Sequence, residues 1–154
     1  MKYFVLTLAL LCGLARAEIQ PFVSGSLAQI QNERAGRPFI LALWSATCTH
    51  CPEELRMLGR MVKKHPATDI VLVSTDTPAE SDELARLAKT YGLSDKSQWV
   101  FAEAQPEKLR FEIDRRWYGE LPRTYFFDAR HRRDAASGLI PRERLERWIT
   151  EHVK

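Results

Sequence analysis

Pro38-Phe39-Ile40-Leu41-Ala42-Leu43-Trp44 is an apolar run of strand length. It leads through Ser45-Ala46-Thr47 into Cys48-Thr49-His50-Cys51 and on to the amphipathic stretch Glu54 to Lys64. Leu55, Leu58, Met61 and Val62 share one helical face, so the segment predicts a buried strand followed by a helix packed against it. Two thiols separated by two residues at the start of a helix can close a small disulfide and reopen it. The helix N-terminus supplies positive potential that favours the thiolate needed for that chemistry.

The N-terminus reads as an export signal. Lys2 gives a basic start, Tyr3 to Leu14 an apolar core, and Ala15-Arg16-Ala17 a small-residue cleavage site. The expected organisation is a signal peptide over residues 1–17 and one domain over 18–154. The apolar run, about a dozen residues, is short of the roughly 20 that span a bilayer, which weighs against a retained anchor. Leu11 weighs against a lipid-modified Cys12, because that position usually carries a small residue. Of the three cysteines, only Cys48 and Cys51 would remain after cleavage. A secreted chain stapled for stability would spread several pairs across its loops, so a single close pair argues for redox work in an oxidising compartment. The formal charge of +3 falls to +1 without Lys2 and Arg16, which implies no nucleic-acid partner.

No repeat or low-complexity linker interrupts the chain. Helices are expected at Ser26 to Glu33, at Ser81 to Tyr91 with Ser81 as cap, at Glu107 to Trp117, and at Arg142 to Val153 behind Pro141. Strands are expected at Asp69 to Thr75, Trp99 to Ala102 and Arg123 to Asp128. A polar turn over Ala129 to Asp134 then leads to a returning strand over Ala135 to Ile140. This order predicts an α/β fold with a mixed central sheet covered on both faces. Trp99, Trp117 and Trp148 are expected in the core, and Asp76-Thr77-Pro78 is read as a turn. The charged Ala129 to Asp134 segment is read as a solvated hairpin, with a basic docking patch as the alternative.

Trp44-Ser45-Ala46-Thr47-Cys48-Thr49-His50-Cys51-Pro52 and Glu120-Leu121-Pro122-Arg123-Thr124-Tyr125-Phe126-Phe127-Asp128 together resemble the thioredoxin fold. More closely, they resemble its TlpA-like branch of exported thiol-disulfide oxidoreductases. Trp44, Cys48, Cys51, Glu54, Pro122, Thr124, Tyr125 and Asp128 sit on that branch's motif positions, and the extra strand-helix segment in mid-chain matches as well. The chain departs at Thr47, where an aromatic is common, at His50, where proline is common, and at Ala42, where relatives carry a buried Asp or Asn. Glu54 is then the candidate for a buried acid near the disulfide.

Cys48, at the exposed end of the turn, is the expected attacking thiol, and Cys51 the resolving one. A structural bridge and a metal site are the alternatives. A zinc cage would need ligands from His65, His131 or His152, all in polar stretches, whereas Cys48 and Cys51 with His50 could hold copper(I). His50 is expected to tune Cys48 when protonated, or else simply to face solvent. Glu54 either exchanges a proton with Cys51 or compensates the helix dipole. Pro122 resembles the family's cis-proline, which would leave the Leu121 backbone free to pair with an extended substrate; an ordinary trans proline is the alternative. Trp44, Leu121 and Thr49 complete the expected substrate contacts.

The resemblance implies a monomeric enzyme of the periplasm or cell envelope that needs no dissociable cofactor. Its partners would be cysteine-containing envelope proteins and a membrane-bound redox protein. The family leans towards reduction and His50 towards oxidation. A copper(I)-binding or copper-site assembly protein using the same cysteines is the alternative function.

Overall fold

A computed structural model describes residues 18–153; the expected signal segment lies outside the described residues. The chain runs β1 (Gln20–Phe22), α1 (Ser26–Glu33), β2 (Phe39–Trp44), α2 (Cys51–Lys64), β3 (Ile70–Ser74), a 3₁₀ turn (Pro78–Glu80) and α3 (Ser81–Thr90). It continues through β4 (Ser97–Phe101), α4 (Pro106–Ile113), β5 (Arg123–Phe127), β6 (Arg133–Ser137) and α5 (Arg142–His152). One six-stranded sheet has the order β1-β4-β3-β2-β5-β6. β1, β4, β3 and β2 run parallel, while β5 and β6 add antiparallel on the other side of β2.

β2 is apolar throughout because it is central and covered on both faces, so all six of its residues are buried. Ile40, Ala42 and Trp44 point to the face covered by α2, α3 and α5, with Leu55, Leu58, Leu84, Leu145 and Ile149. Phe39, Leu41 and Leu43 point to the opposite face, with Leu27 and Ile30 of α1 and Leu109 and Ile113 of α4. Each such aliphatic side chain contributes about 2 kcal/mol of burial free energy. α2 lies close to the C-terminus of α3, where Gly59 packs against the Tyr91 carbonyl with no room for a Cβ.

Three expectations need correction, and one strand has no counterpart among them. α4 ends at Ile113 rather than Trp117, because Asp114 leaves the helical region (φ −159°, ψ 116°) and turns its carboxylate towards Arg123, Tyr125 and Arg133. β6 spans Arg133–Ser137 rather than Ala135 to Ile140, so the turn is shorter and the strand begins with charged residues. Ser81 does not cap α3: its hydroxyl donates to the Pro78 carbonyl, and a capping box between Thr77 and Glu80 closes the preceding 3₁₀ turn. β1 was not expected; it pairs with β4 as an edge strand.

Candidate active site

The carboxyl ends of β2 and β3 and the start of β5 meet at one edge of the sheet, since Leu43 pairs with Arg123 and Trp44 with Ser74. Beyond β2, Ser45 to His50 form the loop that delivers the cysteines to α2. Cys48 and Cys51 are joined as a disulfide with Cα atoms 5.4 Å apart. Cys48 is half-buried and Cys51 is completely buried, so an incoming thiol or disulfide can reach only the Cys48 sulfur. The Cys51 N–H lies 3.2 Å from Cys48 Sγ and is one of the free donors of the first turn of α2. That donor and the helix dipole would stabilise a Cys48 thiolate. Thr49 and His50 are exposed, and His50 is the N-cap residue without a side-chain capping bond.

Glu54 follows Cys51 by one helical turn on the same buried face, and its side chain is only 2% exposed in the residue as a whole. Its carboxylate accepts hydrogen bonds from the Ile140 N–H at 3.1 Å and the Thr124 hydroxyl at 3.3 Å. Burial raises its pKa from 4.5 to about 7, and these two bonds only partly offset the loss of water. Thr124 is the cross-strand partner of Ala42. Glu54 thus reaches, from the helix, the stretch of sheet beside Ala42 of β2.

The Leu121–Pro122 peptide bond is cis, and Pro122 is buried. The Pro122 carbonyl accepts the Gly138 N–H at 2.8 Å, tying this loop to the one that carries Ile140. Neither backbone group of Leu121 bonds to another backbone group among the described residues. Its half-buried side chain packs against the cluster that also contains Trp44, Cys51 and the edge of Cys48. Trp44 is 3% exposed, and its indole N–H has no partner there.

Behind the proline loop, Asp114 binds the Arg123 guanidinium at 3.0 Å, Arg133 at 3.4 Å and the Tyr125 hydroxyl at 3.2 Å. Burial raises the Asp114 pKa, but the Arg116 N–H, the Arg133 charge and the bonds from Tyr125 and Arg123 outweigh it and hold the carboxyl below its usual range. Burial likewise pushes the Tyr125 phenol up to about 12, so it remains a donor. Arg123 also reaches Glu120 and Ser137, which fixes the residue directly after the cis-proline.

Trp44, Cys48, Cys51 and Leu121 thus belong to one packed cluster; Glu54 lies one turn beyond Cys51 on the buried face of α2, Pro122 follows Leu121 through the cis bond, and Thr49 and His50 are exposed. Sequence reasoning missed Asp114, whose position looked like helix interior. It also missed Asp76, which binds the cysteine loop and carried only a turn signal. Among the described residues, no three His, Cys, Asp or Glu side chains converge as a metal-holding group.

No protein-family model matches the chain, and no curated protein does. Solved structures do match. A secreted Mycobacterium tuberculosis disulfide oxidoreductase homologous to E. coli DsbE superposes with a TM-score of 0.62 at 17% identity, covering 78% of this chain and 85% of that one. MTB dsbF, in mixed oxidized and reduced forms, gives 0.61 at 19% identity over 78% and 84%. StoA from Bacillus subtilis gives 0.53 at 18% over 73% and 82%. The chain has the thioredoxin-like fold shared by these proteins.

Proposed function

We propose that this protein is an exported thiol-disulfide oxidoreductase working through Cys48 and Cys51. The observation that carries this reading is the asymmetry of the pair: a reachable Cys48 sulfur at the N-terminus of α2, a buried Cys51, and a carboxyl poised near neutrality one turn further on. In the reducing direction, the Cys48 thiolate attacks one sulfur of a client disulfide. A mixed disulfide forms and the other client sulfur leaves as a thiolate. The Cys51 thiol passes its proton to Glu54 and attacks Cys48 Sγ, which closes the Cys48–Cys51 disulfide and releases the client dithiol. Two electrons move from the protein to the client, and a second dithiol must restore them.

The free backbone of Leu121 suits an extended client segment laid against the proline loop as an added strand. Thr49 is exposed next to Cys48 in the loop, and Trp44 is buried in the cluster against which Cys48 and Leu121 pack. His50 stands exposed beside Cys48, where its positive form would favour the thiolate. Export is supported by the N-terminal segment and by likeness to a secreted oxidoreductase. Clients would be cysteine-containing envelope proteins, with electrons supplied by a membrane-bound redox partner and net flow in the reducing direction.

The test is a trap. Cys51→Ala, incubated with a disulfide-containing client peptide, should accumulate a covalent adduct at Cys48 that a thiol reductant releases. Absence of any adduct while Cys48 alkylates freely would refute the mechanism.

A further inference from the structure

Past the ends of β2 and β3 the two segments stay joined through one carboxylate. Asp76 accepts the Ser45 hydroxyl at Oδ1 (2.8 Å); at Oδ2 it accepts the Ala46 N–H (2.8 Å) and the Ser74 hydroxyl (2.6 Å). An ionised carboxylate only accepts, so three donors converge on it without conflict. Ser45 has a single hydroxyl hydrogen, which Asp76 receives. In the 3.0 Å contact between Ser45 Oγ and Thr47 Oγ1, Thr47 must therefore be the donor. Ser45 Oγ also accepts the Thr47 N–H at 3.1 Å, and the Ser45 carbonyl accepts the Cys48 N–H at 3.3 Å. Both donors of Thr47 and the backbone donor of Cys48 thus end on Ser45, and Ser45 is held by Asp76.

Asp76 is itself anchored. Its N–H donates to Ser74 Oγ at 3.0 Å, the neighbouring Thr75 N–H donates to the Trp44 carbonyl at 2.9 Å, and the Thr77 N–H and hydroxyl close the next turn on Glu80. Ser45 and Ser74 are buried, so their hydroxyls have no easy exchange for water.

We propose that Asp76 is a positioning residue for Cys48: acting through Ser45 and Thr47, it holds the Cys48 sulfur against the Cys51 N–H at the start of α2. The inference rests on the thiol-disulfide reading and extends that site to a residue on the neighbouring strand. Thr47 is part of the device, because its hydroxyl and N–H both end on Ser45. Asp76 makes no hydrogen bond to either sulfur and takes no part in the bond exchange.

Positioning and simple charge predict opposite signs. Removing a nearby negative charge would favour the Cys48 thiolate, whereas releasing the loop takes the sulfur away from its N–H donor and disfavours it. Asp76→Asn and Ser45→Ala, each reduced, are alkylated with iodoacetamide across pH, beside the unsubstituted protein. Both variants should alkylate at Cys48 about fivefold more slowly at pH 7, the equivalent of one hydrogen bond. In both, the midpoint of the pH profile should move upward. Ser45→Ala changes no charge and leaves a small side chain, so it decides the matter if Asp76→Asn does not fold. An unchanged profile in Ser45→Ala, or a downward midpoint in a folded Asp76→Asn, overturns the inference. If the unsubstituted protein forms no reversible Cys48–Cys51 disulfide, the functional reading falls and the inference with it; if it cycles and the variants match it, only the positioning role falls.

Discussion

Replacing Glu54 by glutamine should make the oxidised protein more stable at alkaline pH and leave it nearly unchanged in acid. The carboxyl has a pKa of about 7 in the fold against 4.5 as a free side chain, because it is buried between α2, Thr124 and Ile140. Between those values the folded chain binds more protons than the unfolded one, so stability falls as pH rises through the window and levels off above it. A gap of about 2.5 pK units at 1.36 kcal/mol each amounts to about 3 kcal/mol of stability lost by pH 8. Glutamine can direct its carbonyl to the Ile140 N–H and its amide to Thr124 Oγ1, keeping both contacts without a charge. Urea unfolding of the disulfide form, in which neither cysteine titrates, isolates the effect. The variant should be more stable by about 2–3 kcal/mol at pH 8, and the difference should shrink towards zero below about pH 5. A difference independent of pH, or a variant less stable at pH 8 than at pH 5 relative to the unsubstituted protein, would refute the burial argument.

Three further outcomes follow from the same geometry. Cys48→Ala should reduce disulfide exchange to the level of a buffer control, while Cys51→Ala should still form the mixed disulfide; intact mass before and after a thiol reductant reads both. Asp114→Ala should cost about 3–5 kcal/mol in urea unfolding at pH 7, since it leaves Arg123 and Arg133 facing a buried gap. The Asp114 pKa is lowered, so its contribution is present above the ordinary carboxylate range and lost on acidification, and the deficit of the variant should narrow as pH falls. Gly59→Ala drives a methyl into the Tyr91 carbonyl and should destabilise the fold by about 3 kcal/mol, with the exchange chemistry intact at temperatures where it stays folded.

The elements that sequence reasoning found are those whose own residues carry the signal. β2 is apolar at every position, and α2 and α5 repeat apolar residues at helical spacing, so each was legible without knowing its neighbours. β1 is three residues long with one buried side chain and exists because β4 offers an edge, which no local pattern encodes. β6 begins two residues before the expected strand, because Arg133 and Asp134 belong to an edge strand and look like a turn. α4 ends before Trp117 although that residue falls in register with Leu109 and Ile113; the helix stops where Asp114 finds two arginines from later strands. At the site, the cysteine spacing and the Leu121-Pro122 motif were visible in the chain. Asp76 was invisible as a site residue, since its partner Ser45 lies 31 residues away; Thr124 sits on a motif position, but its bond to Glu54, 70 residues away, carries no local signal.

In the proposed function the Cys48–Cys51 disulfide opens and closes in exchange with other thiols. Equilibration of the protein against graded ratios of reduced and oxidised glutathione reads that exchange, with tryptophan fluorescence following the transition and thiol trapping counting the free cysteines. A single reversible two-electron transition is predicted, with a midpoint between the thioredoxin and DsbA references of about −270 and −120 mV. A value towards the lower end marks an electron donor and one towards the upper end a disulfide donor. A pair that stays fully reduced or fully oxidised across every ratio, with no mixed disulfide trapped at Cys48, would contradict it.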